Sequence, residues 1–382
     1  MTPEEIAALA PYDDSNVRLA LGRCLGHPAT RLIHRAYFPE LSWEAFQHVA
    51  ISASTIFEFQ RDFIDVILRR LELATTTGIT LTGREEAPDD RCHLYISNHR
   101  DIILDSALFT DILFRRGYRT PEICLGDNLL RDPFVTDLVK LNKGITVKRN
   151  LPAKELFLWS RVLSRQIRSC ILQGRDSVWI AQAEGRSKDG SDRTHPGVLK
   201  MLALSGEGDL LEKLRPLHIV PVAVSYEFDP SDVEKSREIV LGKTGPYKKR
   251  PTEDFEAMAR AFQEFKGGVA IVVGEEIDTI LDEAQQIALK SDQVRFVAQR
   301  IDECIHRQYH NFSSNFIATD QLTQQTTHSS QYTPSQKERF FTRLEERLDA
   351  NSLSGPERES VRQQTLALYA ASVRPEFANT EN

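Results

Sequence analysis

The stretch Ser97-Asn98-His99-Arg100-Asp101-Ile102-Ile103-Leu104-Asp105 sets one histidine beside two carboxylates on a single short segment. A histidine titrates near neutrality and suits the removal of a proton from an alcohol. A carboxylate on its other ring nitrogen would fix the tautomer and stabilise the imidazolium. Leu94-Tyr95-Ile96 before it reads as a strand and the apolar run after it reads as a helix, so His99 is expected at the mouth of a sheet. Two acids compete for the partner role. Asp101, two residues on, is placed to cap the helix. Asp105 lies one turn further in, reaches back if the connection is extended, and is the preferred partner.

A second cluster, Glu184-Gly185-Arg186-Ser187-Lys188-Asp189-Gly190, joins cations to small residues. Gly185 would let the backbone approach a ligand closely. Arg186 and Lys188 bring positive charge, with arginine suited to a two-pronged grip on phosphate, and Glu184 could orient Arg186. Lys148 and Arg149 close the run Gly144–Arg149 at a strand's carboxyl end, where α/β folds bind ligands. Pro221 interrupts the apolar strand Ile219–Val224, which points to an edge or a bulge and to either an acyl pocket or the end of pairing. Gly242-Lys243-Thr244 lacks the upstream glycine of a P-loop, and His306 and His310 lack a third ligand, so no metal site is expected. No Gly-x-Gly-x-x-Gly follows a strand and no Gly-x-Ser-x-Gly elbow occurs, which argues against a dinucleotide fold and a serine hydrolase.

These residues need a frame, and the chain is long enough for one. It has 382 residues, 41% of them hydrophobic, and a net charge of -7. An acidic chain does not advertise nucleic-acid binding, so an anion site must be local. Five scattered cysteines fit reduced thiols in a cytoplasmic protein. The acidic N-terminus does not read as a signal peptide, and no window approaches the roughly 18 uninterrupted apolar residues of a membrane span. Strand-like and helix-like runs alternate from residue 90 to 230, and Val269–Gly274 reads as a buried strand. The fold expected is α/β, a mixed sheet flanked by helices, with helical N- and C-terminal extensions. The expected divisions are a helical region at 1–85, the α/β domain at 86–318, a Thr-, Gln- and Ser-rich linker at 319–334 and a helical segment at 335–382.

In order and spacing the four blocks together resemble the glycerolipid acyltransferase superfamily, which includes glycerol-3-phosphate and 1-acylglycerol-3-phosphate acyltransferases. The family's His-x4-Asp, commonly preceded by Asn, is matched by Asn98-His99 with the aspartate, Asp105, one residue late. Gly144–Arg149 is similar to the second block. Glu184-Gly185-Arg186-Ser187 is similar to Glu-Gly-x-Arg-Ser, one residue short, and Ile219–Val224 to the apolar strand with proline. Both departures look like a bacterial branch with Asn-His-Arg-Asp-x-x-Leu-Asp and Glu-Gly-Arg-x-Lys-Asp-Gly.

The resemblance implies that His99 deprotonates a glycerol hydroxyl, which attacks an acyl thioester without an acyl-enzyme, while Asp105 orients His99. It implies that Arg149 and Arg186, helped by Lys148 or Lys188, hold the acceptor's phosphate, that Gly185 allows close approach, and that the strand around Pro221 serves the acyl-donor site. The donor would be acyl-CoA or acyl carrier protein. No cofactor is expected, since a thioester is already activated. The protein would meet the inner face of the membrane as a peripheral partner, through the loop Lys243–Arg250 or an amphipathic N-terminal helix. Two alternatives remain: another lyso-lipid acceptor such as an aminolipid, or a non-catalytic module that binds lipid or acyl carrier.

Overall fold

The computed structural model describes residues 7–83, 91–243, 245, 247, 250 and 253–374. Among these residues seven strands form one sheet: β1 (Thr76–Gly83), β2 (Leu94–Ser97), β3 (Glu122–Gly126), β4 (Gly144–Val147), β5 (Val178–Ala181), β6 (Ile219–Tyr226) and β7 (Gly267–Val273). Their spatial order is β1-β7-β6-β2-β5-β3-β4. Strands β2 to β6 run parallel, β7 pairs antiparallel with β6, and β1 runs parallel with β7. Residues such as Val178, Val220 and Val224 are fully buried because helices cover both faces, as a parallel arrangement requires.

On one face the helix Leu104–Arg115 lays Leu104, Leu108 and Phe109 against Trp179, Val222, Val224 and Ile271. On the other, the helices Ala153–Leu172 and Lys290–Arg307 bring Val162, Ile167, Val297 and Ile301 onto Ile96 and Ala223. The N-terminal helices enclose a separate core of Val17, Phe46, Phe59 and Phe63 that also takes in Leu141. A fourth core, with Phe228, Val233, Ile317, Phe340 and Tyr369, joins the segment after β6 to the last two helices. No helix among the described residues is long and apolar enough to cross a membrane.

The expected divisions differ from the structure at two places. Residues 76–83 belong to the sheet, because β1 pairs with β7 along its length, so the end of the region assigned to helices is part of the α/β layer. The stretch 319–334 is no free linker. It carries the end of the helix Ser313–Thr323, and Asp320 accepts hydrogen bonds from the His328 amide at 3.1 Å and the Tyr332 hydroxyl at 2.9 Å. The segment after β7 forms two helices, Asp278–Gln285 and Lys290–Arg307.

Pro221 also differs from expectation, since it sits in a central strand, opposite Ile96 of β2. It is tolerated there because the N and C=O of a strand residue face the same side. That side faces the end of β7: the β6–β7 strand pairing runs as far as Val222 and Val273, and just beyond it the Pro221 carbonyl accepts the Gly274 amide at 2.9 Å. The missing N–H therefore costs one bond, the return to Gly274 at the end of the ladder.

Candidate active site

The site is built where β2 ends. Asn98 continues the ladder with its side chain: its Nδ2 donates to the Val224 carbonyl at 2.9 Å and its Oδ1 accepts the Val224 amide at 2.8 Å. This pairing turns the chain off the sheet and brings His99 to the carboxyl edge of the parallel strands. His99 Nδ1 lies 3.0 Å from Asp105 Oδ2, with the ring 15% exposed and the carboxylate fully buried.

Asp105 Oδ2 also accepts the Arg100 and Asp101 amides at 2.7 and 2.9 Å, and Oδ1 accepts the Tyr226 hydroxyl at 2.8 Å. Four donors thus satisfy a buried carboxylate that would otherwise be costly. Because a carboxylate only accepts, the histidine proton sits on Nδ1 and the Nε2 lone pair is left for a reactant. Burial and the neighbouring Asp105 charge push the Tyr226 phenol well above its ordinary value, which keeps it a donor. Asp101 does not meet the ring. Its Oδ1 accepts the Ile103 and Leu104 amides at 3.0 and 2.8 Å and caps the helix start.

Beside His99 opens a groove of about 360 Å³, lined by Glu184, Gly185, Arg186, Ser187 and Lys188 among others. The loop is tied to the base by the Ser187 amide, which donates to the His99 carbonyl at 2.7 Å. Arg186 Nη1 and Ser187 Oγ are both buried and have no hydrogen-bond partner among the described residues. Two orphaned donors on one groove wall fit an anion.

Residues 78–225 match the family model described as Acyltransferase, a span that contains all four motif blocks. Over this span the chain is similar to an acyltransferase domain. The resemblance to the glycerolipid acyltransferase superfamily and the family match thus rest on the same residues. No curated protein matches the chain. Among solved structures it is similar to the 1-acyl-sn-glycerophosphate (LPA) acyltransferase, PlsC, from Thermotoga maritima, at 13% identity over 75% of this chain and 94% of that chain, with a TM-score of 0.36.

Within the matched span the remaining expected residues divide. Gly185 has φ +79°, and a Cβ there would meet nothing within 4 Å, so backbone twist and not close approach calls for glycine. Glu184 faces Arg149, at 3.7 Å. Arg149 lies across Gly126, where a Cβ would come 2.7 Å from the guanidinium carbon, and so borders the groove through Glu184. Lys188 lines the groove but is paired with Glu238. Lys148 turns the other way, 3.7 Å from Asp127 and 5.8 Å from the Trp159 ring centre, and does not line the groove. Pro221 is buried in the sheet beneath it.

The sequence reading assigned no role to Tyr226 or to Ser187, although Ser187 stands inside the quoted motif. Tyr226→Phe removes one donor from a buried carboxylate, a change worth about 1–3 kcal/mol. The variant should stay folded and lose about tenfold in turnover through a less firmly held Asp105. Thermal unfolding beside steady-state kinetics checks this.

Proposed function

We propose that the protein transfers a fatty acyl group from a thioester to a hydroxyl of a phosphorylated glycerol acceptor, lysophosphatidic acid or glycerol 3-phosphate, in phospholipid synthesis. The observation that carries this reading is the groove that His99 shares with two unpartnered donors, Arg186 Nη1 and Ser187 Oγ. A base alone would suit many alcohols; a base beside an anion cradle suits an alcohol that carries phosphate.

In the reaction His99 Nε2 takes the hydroxyl proton as the oxygen attacks the thioester carbonyl. Asp105 stabilises the imidazolium that forms. The tetrahedral intermediate then collapses, the C–S bond breaks, and the thiolate recovers the proton from His99. No residue is acylated on the way. The bond from His99 to Asp105, made although this aspartate comes one residue late, favours catalysis over a module that only binds lipid or acyl carrier.

Purified protein incubated with long-chain acyl-CoA or the acyl carrier protein thioester should release thiol only when acceptor is added, and the acylated product should appear at equal rate. Acceptor-independent hydrolysis, or acylation of lyso-aminolipids alone, would overturn the assignment. Arg186→Ala should raise the KM for the phosphorylated acceptor about 10- to 100-fold, the worth of a charge-assisted hydrogen bond, and leave the donor KM in place. Varying each substrate in turn measures both.

A lipid acceptor must reach the groove from a membrane. Leu156, Phe157 and Leu158 are exposed at the start of the helix Ala153–Leu172, whose buried face begins only at Val162. They follow Lys148 and Arg149 at the same edge of the parallel strands as His99. We assign this tip, with Lys154 beside it, to contact with an anionic lipid surface. Of the loop expected to do so, Lys248 and Lys249 lie outside the described residues. Phe157→Ser with Leu158→Ser should abolish flotation with phosphatidylglycerol vesicles while acylation of glycerol 3-phosphate continues; unchanged flotation would sink this assignment.

A further inference from the structure

The groove loop is fastened to the catalytic turn twice. The first is the bond from the Ser187 amide to the His99 carbonyl. The second starts from Arg100, the residue after the base. Its guanidinium is buried with Nη2 2.5 Å from Asp192 Oδ2 and Nη1 3.5 Å from Asp229 Oδ2. The Tyr309 hydroxyl donates to the same Asp192 oxygen, and the Arg100 guanidinium stands 5.6 Å from the Tyr309 ring centre.

Asp192 has φ +40°, in the left-handed region, where an aspartate is tolerated but disfavoured. Its partners hold it there. His306 Nε2 donates to the Ser191 and Asp192 carbonyls at 3.2 and 3.1 Å. His306 is buried, and burial with Arg374 nearby holds it below the ordinary histidine range, so the ring that donates is neutral.

The C-terminal helix Gly355–Ala370 closes this assembly from behind. Gly190 has φ +74°, and a Cβ there would lie 2.7 Å from Ala371 Cβ and 2.8 Å from the Leu368 carbonyl oxygen. Arg374 Nη2 donates to the Ser191 carbonyl at 3.2 Å. The residues supporting the loop from this side, His306, Tyr309, Leu368 and Arg374, all lie beyond the matched span 78–225.

We propose that Arg100 and Asp192 are positioning residues that couple the base to the anion loop, and that the C-terminal helix holds this coupling in register. The proposal rests on the functional reading above. Its physical content is a fixed separation: the acceptor hydroxyl must meet His99 Nε2 while its phosphate sits in the loop, and a displacement of about 1 Å costs on the order of a hundredfold in rate. A buried ion pair is weak evidence of stability, since desolvation offsets most of its attraction. One that bridges the two halves of a site has a geometric use.

Asp192→Asn tests the charge alone, because asparagine keeps the shape and accepts the left-handed backbone. It should lower kcat/KM for the acceptor about 10- to 100-fold with the donor KM unchanged. It should also speed hydrogen exchange at the Ser187 amide. Arg374→Ala is the gentler variant, since its side chain is half-buried and donates one bond to the loop. It should raise the acceptor KM about 2- to 10-fold at unchanged melting temperature, and Arg374→Lys should recover part of the loss.

Wild-type acceptor KM and wild-type Ser187 exchange in both variants would overturn the proposal, whatever happens to stability. If the wild type turns over neither acceptor, the functional reading fails by itself, and exchange at Ser187 decides the coupling: acceleration in Asp192→Asn sustains it and full protection refutes it.

Discussion

His99→Ala is expected to lower acceptor-dependent acyl transfer by on the order of 10² to 10⁴, the usual worth of a positioned general base. It should do so in a folded protein. The ring leaves only one of four donors to Asp105 missing, since the Arg100 and Asp101 amides and the Tyr226 hydroxyl remain in place. The side chain lies on a groove wall, so truncation opens space to solvent and not a closed cavity. The loss should fall on kcat, with the KM of the acceptor held by Arg186 and Ser187. Steady-state kinetics beside a denaturation curve separates this from unfolding, and a variant that keeps its turnover would remove His99 from the chemistry.

Asp105→Ala should have the largest effect on stability. It strands two backbone amides, the Tyr226 hydroxyl and the histidine N–H around a fully buried position. At about 1–3 kcal/mol for each buried group left unpaired, the sum takes up a large part of the roughly 5–15 kcal/mol that hold a domain together. Asp105→Asn keeps the volume and an acceptor oxygen, so it should fold. It should still lose activity by on the order of 10³ to 10⁴, because the imidazolium has lost its counter-charge and the tautomer is no longer fixed. Asp101→Ala is the contrasting case. It removes a helix cap, costs about 0.5–2 kcal/mol, and should leave turnover near wild type. Urea unfolding of the three variants, with kinetics on those that fold, distinguishes the two carboxylates; inactivity of Asp101→Ala in a folded state would reverse their roles.

Much of this site was legible in the sequence because it is local. His99 follows its strand directly, and Asp105 is near enough for a tight turn to bring it back, since the turn's own amides at Arg100 and Asp101 point at the same carboxylate. Arg186 and Ser187 share a loop whose glycine announces a left-handed turn. What the sequence hid depends on register and on distant packing. Tyr226 reaches Asp105 from 121 positions away, and only the pairing of β6 with β2 puts its hydroxyl on that face. Lys148 and Arg149 are neighbours just past the end of β4, yet Lys148 turns to Asp127 and only Arg149 reaches Glu184 at the groove. Pro221 reads as an edge residue until β7 is seen to stop beside it. The support of Asp192 by Tyr309 and the last helix joins segments more than a hundred residues apart, and no local pattern records it.

The central claim is that one groove joins a base to a phosphate site. The most direct test is thiol release from long-chain acyl-CoA, and in parallel from the acyl carrier protein thioester, with lysophosphatidic acid beside the same lipid lacking its phosphate, monoacylglycerol. The expected result is release that needs the phosphorylated acceptor and fades when it is replaced by monoacylglycerol. Equal release with both acceptors, or release that ignores them, would contradict the account.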